Sequence, residues 1–347
     1  MRTCQKTFLL LLLLSAPVSA AHPARFTFTK ILEYSGPVAS AGGSLNDQGA
    51  VAVTISTLGV GDVVLAGDGR TLSVIAETAS ARSFGKAAIT NQGDVIFSAS
   101  SGEGRRILLS RKGQLSTLVD VDAPLLVLGD LVANRRGTIA YPTVLEMAVH
   151  AAVSLDHGET AITASHPRSI AVLDINQRGQ VLSMTDLGRP PSSKLIVGDG
   201  RTTRIAADAA ADLHGGFFLG AVINDRGTVA ASAFLGEAGR RIYLAEPGGG
   251  LVPVITSEGL FDSFTLTGLT DSGTPVFTAS LDTGGSGVFA GPDPVADKVI
   301  ATGDTLNGAT VRSASVVDVN ASGQLLVWVS FEDGRTALYR TQHGGIH

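Results

Sequence analysis

Seven copies of one four-residue turn, each followed directly by an apolar run, divide almost the whole chain into similar periods. The copies begin at Asn46, Thr90, Asn134, Asn176, Asn224, Thr270 and Asn320. They end on Gly49, Gly93, Gly137, Gly179, Gly227, Gly273 and Gly323, which lie 44, 44, 42, 48, 46 and 50 residues apart. A period of this length fits a four-stranded propeller blade and is longer than most helical repeats. The turn has a mechanical reading. Asn or Thr opens it, because a side-chain oxygen can accept from the backbone N–H two residues on. Two polar residues take the corner, and Gly takes the positive-φ bulge position that follows a type I turn.

A second turn follows each motif at a nearly constant distance, as at Asp68-Gly69, Lys112-Gly113, Asp199-Gly200 and His343-Gly344. A third, less regular turn lies between the two, as at Gly102-Glu103-Gly104. Short apolar strands fill the gaps, so each period holds four strands and three tight turns. No helical periodicity is visible after the first twenty residues. The last repeat ends near its second turn and lacks a final strand. Phe26 to Tyr34 resembles such a strand, Lys30–Tyr34 aligning with Ser73–Glu77. The expectation is an all-β, seven-bladed β-propeller of four-stranded antiparallel blades, its ring closed by the N-terminal strand. Closure would leave few free edges to pair with other molecules.

Residues 1–20 read as a cleaved export signal. Arg2 and Lys6 precede the apolar run Phe8–Leu14, and Val18-Ser19-Ala20 is a small-residue cleavage pattern. The propeller then occupies residues 21–347. Cys4, the single cysteine, falls inside the signal, so no disulfide or thiol chemistry is expected. The formal charge is −5 with no basic block, which argues against nucleic acid as a partner. The reading is a secreted or periplasmic monomer with no membrane anchor.

The repeat resembles the tandem NxxGxxAF-repeat family of exported bacterial proteins. All seven copies carry the likeness, although Thr replaces Asn at positions 90 and 270 and only some copies, such as those with Phe97 and Phe277, keep the terminal Phe. That family has no assigned activity, so the resemblance implies a propeller-like fold and export but no mechanism. The Asp271-Ser272-Gly273 corner is also similar to the Asp-box hairpins of sialidase propellers, but lacks the aromatic that such boxes place after the Gly.

Strand directions put the motif turns and second turns at one end of the ring. The third turns and the longer inter-blade loops share the other, which is the expected binding face because variable loops on a rigid scaffold carry function. The catalytic candidates there are His166 in one loop and Asp208, Asp212 and His214 in the next. Two histidines and two aspartates can ligate a metal or act as acid and base, although surface polarity explains them as well. Arg168, Asp120 and Asp122 are candidate binding residues, the two acids as a possible Ca²⁺ contact or simply a solvated strand end. Arg105-Arg106 and Arg240-Arg241 can face an anionic glycan or only solvent. Trp328 is expected in the core, and Asn320-Ala321-Ser322 is a formal glycosylation acceptor inside a structural turn. No metal site and no cofactor are assigned. Two readings stand: a non-catalytic scaffold that binds a protein or glycan, and a carbohydrate-active hydrolase or lyase that uses the loop His and Asp residues.

Overall fold

The computed structural model describes residues 26–34, 40–57, 61–78, 83–101, 104–121, 131–141, 144–145, 148–149, 152–154, 158–160, 170–185 and 193–343. The expected signal, His166, Arg168 and Asp122 lie outside these residues.

Each repeat contributes one antiparallel sheet whose strands lie side by side in chain order. Repeat 1 is Ser40–Leu45, Val51–Thr57, Gly61–Gly67 and Leu72–Glu77. Repeat 5 is Phe217–Ile223, Val229–Phe234, Arg240–Ala245 and Leu251–Thr256. Repeats 2, 4 and 6 follow the same path, with the first strand of repeat 2 split into Ser83–Phe84 and Ala88–Ile89. In repeat 7 the strands Ala309–Val319, Leu325–Phe331 and Thr336–His343 are followed by Phe26–Tyr34, which pairs antiparallel with the third.

Six repeats therefore carry a full blade, where seven equal blades were expected. Repeat 3 differs. Its sheet is Val132–Ala133, Thr138–Ala140, Ala152–Ser154 and Gly158–Thr160, strands of only two or three residues. A separate hairpin, Val144–Leu145 with Ala148–Val149, interrupts the path between its second and third strands. A second difference is minor: Ala209–Asp212 is a single helical turn, and Gly236–Ala238 a single 3-10 turn.

The second strand of each full blade is covered on both faces. Val181–Thr185 is buried throughout, and Ala230, Ala231 and Ala233 are at 0% exposure. Small and β-branched residues suit a strand packed between two neighbouring sheets. The core is accordingly shared between repeats. Leu182, Leu195 and Val197 of repeat 4 pack with Phe218, Val229 and Ala231 of repeat 5. Phe277 stacks on Phe289 at 5.7 Å, with Phe261 edge-on to both. Leu326 and Leu338 of repeat 7, with Ile31, pack on Leu45, Val51 and Val53 of repeat 1. Trp328 is partly buried against that cluster, in line with its expected core role.

The outermost strand of every full blade carries one extra residue relative to its neighbour. These residues are Ile31, Ile75, Leu118, Ala206, Val254 and Val299. All are apolar, and Ile31, Ala206 and Val299 are buried. A bulge bends a strand and spoils it as a template for further pairing. The shared bulge gives Phe26–Tyr34 the geometry of an outermost strand. It also moves the expected alignment by one residue, so that Ile31 matches Ile75.

Candidate functional site

The motif turns build the wall of an axial channel, and their asparagines work in two directions. Asn46 Oδ1 accepts from the backbone N–H groups of Gln48 and Ala50 at 3.1 and 2.8 Å, which shapes its own turn. Its Nδ2 donates to the carbonyl of Thr90 in the next repeat at 2.9 Å. Asn134 donates to Asn176 O, Asn176 to Asn224 O, Asn224 to Thr270 O, and Asn320 to Asn46 O, at 2.9–3.1 Å. These asparagines are only 2–4% exposed. An amide meets both demands because it has an acceptor oxygen and a donor nitrogen. Thr90 and Thr270 supply only the acceptor, to Asp94 N and Thr274 N. At the first of these places Asn91 N–H bridges to Arg135 O instead. The motif glycines all have positive φ, from 76° to 88°, as the turn requires.

Two residues before each Asn, the innermost strand faces the channel. Apolar residues or glycine hold this place in four repeats, but Ser44, Asp174 and Asp318 hold it in the others. Each of the three accepts the N–H of the next repeat: Ile89 to Ser44 Oγ, Ile223 to Asp174 Oδ2, and Leu45 to Asp318 Oδ2. Bulges at Leu173 and Val317 precede the two aspartates and aim them inward. These residues, with Lys86, line a cavity of about 200 Å³. Burial pushes the Asp174 carboxyl up to about 6, against its amide bonds from Ile223 and Ile175 and the pull of Lys86, while Asp318 adds to the rise.

Arg135 spans the motif end of this channel. From repeat 3 its Nε donates to Leu45 O at 3.0 Å and its Nη2 to Val319 O at 2.6 Å, in repeats 1 and 7. Asp47 Oδ1 stands 3.5 Å from Nε, and the arginine side chain is 17% exposed. One planar guanidinium thus ties three repeats together across the axis.

The loop candidates are placed differently. Asp208 caps the Ala209–Asp212 turn through Ala210 N–H and pairs with Lys194 at 2.8 Å. Partial burial works to raise its carboxyl, but Lys194 and the capping amides outweigh this and hold it below the usual range. Asp212 turns back to accept the Asp208 N–H at 2.8 Å. His214 is exposed just after this turn, at φ +47°. Asp120 pairs with Arg106 at 3.0 Å, and Arg241 with Glu258 at 3.6 Å. Among the described residues, no three His, Cys, Asp or Glu side chains group to hold a metal.

No protein-family model matches the chain, and no curated protein matches it in sequence. Solved structures do match in shape. An oligogalacturonate lyase from Vibrio parahaemolyticus aligns with a TM-score of 0.58 at 13% identity, over 91% of this chain and 96% of that one. The chain is a β-propeller. A virginiamycin B lyase from Staphylococcus aureus aligns at 0.54 and 11% identity, over 91% and 99% of the two chains. A prolyl endopeptidase aligns at 0.60 and 10% identity over 90% of this chain, which spans about half (51%) of that enzyme's length. At such identities the likeness is one of fold, and function must be argued from the site.

Proposed function

We propose that this propeller is an exported, non-catalytic scaffold of seven blades that binds a protein or glycan. The observation that carries the binding reading is the employment of the described loop candidates. Asp208 and Asp212 are spent on one helical turn and on Lys194, an arrangement that builds a rigid loop rather than a reactive pair. Export rests on the Arg2–Ala20 pattern. Ring closure by Phe26–Tyr34 is supported by its pairing with Thr336–His343 and by its bulge at Ile31. A seventh blade at repeat 3 is supported by the motif bonds of Asn134 and by cores shared with repeats 2 and 4, Ile139 with Ile96 and Ala140 with Val181.

One observation favours a second reading, a carbohydrate-active lyase or hydrolase. Asp174 sits in a cavity wall with its carboxyl near 6, beside Lys86 and Asp318, and a carboxyl poised there can take or give a proton near neutral pH. Two of the neighbours in shape are lyases. The experiment offers the purified chain a panel of uronate-containing and neutral polysaccharides. Binding without turnover supports the scaffold. Turnover that disappears in Asp174→Asn but survives Asp208→Ala with His214→Ala overturns it and places the chemistry in the channel.

A further inference from the structure

Three adjacent repeats place an arginine at the same corner of the motif turn: Arg136, Arg178 and Arg226. The other four repeats have Gln48, Gln92, Ser272 and Ser322 there. The three turns are bonded directly to one another, Asn134 to Asn176 and Asn176 to Asn224. Their backbones are thus one asparagine side chain and one hydrogen bond apart, and the three side chains leave the same end of the propeller. All three are exposed, and no described residue bonds to their guanidinium groups. Only their backbone N–H groups are engaged, each on its own Asn Oδ1.

Three carboxylates of repeats 4 and 5 at this end accept bonds from the fold. Asp225 Oδ1 accepts the Gln177 N–H, Asp199 Oδ1 accepts Arg201 and Thr202 N–H, and Glu246 Oε2 accepts the Thr228 hydroxyl. Arg201, exposed on the second turn of repeat 4, extends the same field. A chain of charge −5 thus sets three guanidinium groups, unbonded by any described residue, along one arc of its motif end.

We infer that this arc, at the motif end rather than the loop end, binds a linear polyuronate. The inference rests on the scaffold reading and names its ligand class. Guanidinium forks match carboxylates in a bidentate way. Equivalent side chains on successive repeats suit a polymer with one carboxylate per sugar. No aromatic residue occurs in the seven turns, so the face lacks the stacking platform that single-stranded nucleic acid uses.

The test measures binding of the mature chain to polygalacturonate, with a neutral galactan and single-stranded DNA as controls, at low and physiological salt. The triple variant Arg136→Ser/Arg178→Ser/Arg226→Ser adopts the residue that repeats 6 and 7 already use, so its melting temperature should stay that of the parent. Its affinity for polygalacturonate should fall at least tenfold, and the salt dependence should flatten. Arg106→Ser/Arg241→Ser/Arg312→Ser, at the opposite end, should bind like the parent. Loss of binding in the opposite-end variant alone, or DNA binding as tight as that of the polyuronate, overturns the inference. So does failure of the parent to bind polygalacturonate, and a parent that then binds the galactan leaves the scaffold reading intact. Cleavage of the bound polymer overturns the scaffold reading while the arc stands.

Discussion

Asn320 Nδ2 donates to the backbone carbonyl of Asn46 at 2.9 Å, joining residues 274 apart in the chain. The bonds between repeats 7 and 1 repeat those between repeats 4 and 5. Asp318 takes the Leu45 N–H as Asp174 takes the Ile223 N–H. Ala321 N–H reaches Asp47 as Gln177 N–H reaches Asp225. Arg340 donates to Gly49 O as Arg204 donates to Gly227 O, both at 2.6 Å. The link between the last repeat and the first therefore has the chemistry of an internal one.

Asn320→Thr should isolate one half of this arrangement. Threonine keeps an acceptor for the turn, as Thr90 does, but cannot donate to Asn46 O. That carbonyl keeps the Gly49 N–H, so the change removes one net hydrogen bond, about 0.5–1.5 kcal/mol. Urea unfolding should show a loss in that range, and Asn320→Ala should lose more because its turn bonds to Gln324 N–H also go. Equal stability of the Thr and Ala variants would mean the inter-repeat bond is idle.

Removal of residues 26–34 should leave Thr336–His343 as an unpaired edge and expose Leu326 and Leu338, which pack with Ile31. The truncated chain should melt far below the parent and associate on gel filtration. Ile31→Ala alone should cost about 2–4 kcal/mol, as for other large-to-small changes at buried sites. A truncated chain that melts like the parent would refute closure by this strand.

The repeat was legible because turn chemistry is local. Asn, two polar residues and Gly announce the bend, and the strands follow from short apolar runs. The donor half of each Asn was not legible, since its partner carbonyl lies 42 to 48 residues away, or 274 for Asn320, and carries no side-chain signature. The channel acids were hidden for another reason. Asp174 and Asp318 sit two residues before the motif in only two repeats, so no repeating signal marks them. Asp208, Asp212 and His214 were visible as a polar loop, but the pairing of the two aspartates within one helical turn depends on backbone directions that composition does not reveal. The reduced strands of repeat 3 follow an ordinary motif at Asn134, so the motif alone does not set blade size.

Arg135→Lys should behave as a loss rather than a conservative change. A lysine ammonium cannot span Leu45 O and Val319 O as the planar guanidinium does. Arg135→Ala should cost about 2–4 kcal/mol, given that hydrogen bonds from charged groups are worth roughly 1.5–3 kcal/mol each. Arg135→Lys should recover less than half of that in urea unfolding. Full recovery by lysine would show that charge near Asp47, rather than the bridge, is what counts.

Asp174 sets a pH dependence whose sign runs opposite to that of a salt-bridged acid. Its carboxyl stands at about 6 in the folded chain against 3.8 when free, so between these values the folded state holds the proton more tightly. Its stabilising contribution is complete below pH 4 and is lost as pH rises through 6, an effect of about 3 kcal/mol at 1.36 kcal/mol per unit. Lys86 and Asp318 face it in the channel, and their opposed charges bracket the shift. Asp174→Asn keeps an oxygen for one of the two amides and carries no charge at any pH. The difference in unfolding free energy between parent and variant should therefore move in the variant's favour by roughly 2.4 kcal/mol from pH 4 to pH 7. Parallel urea titrations at half-unit pH steps measure it. A difference that stays flat across that window would show that Asp174 ionises as freely in the folded chain as in the unfolded one, which would also remove the case for acid–base chemistry in the channel.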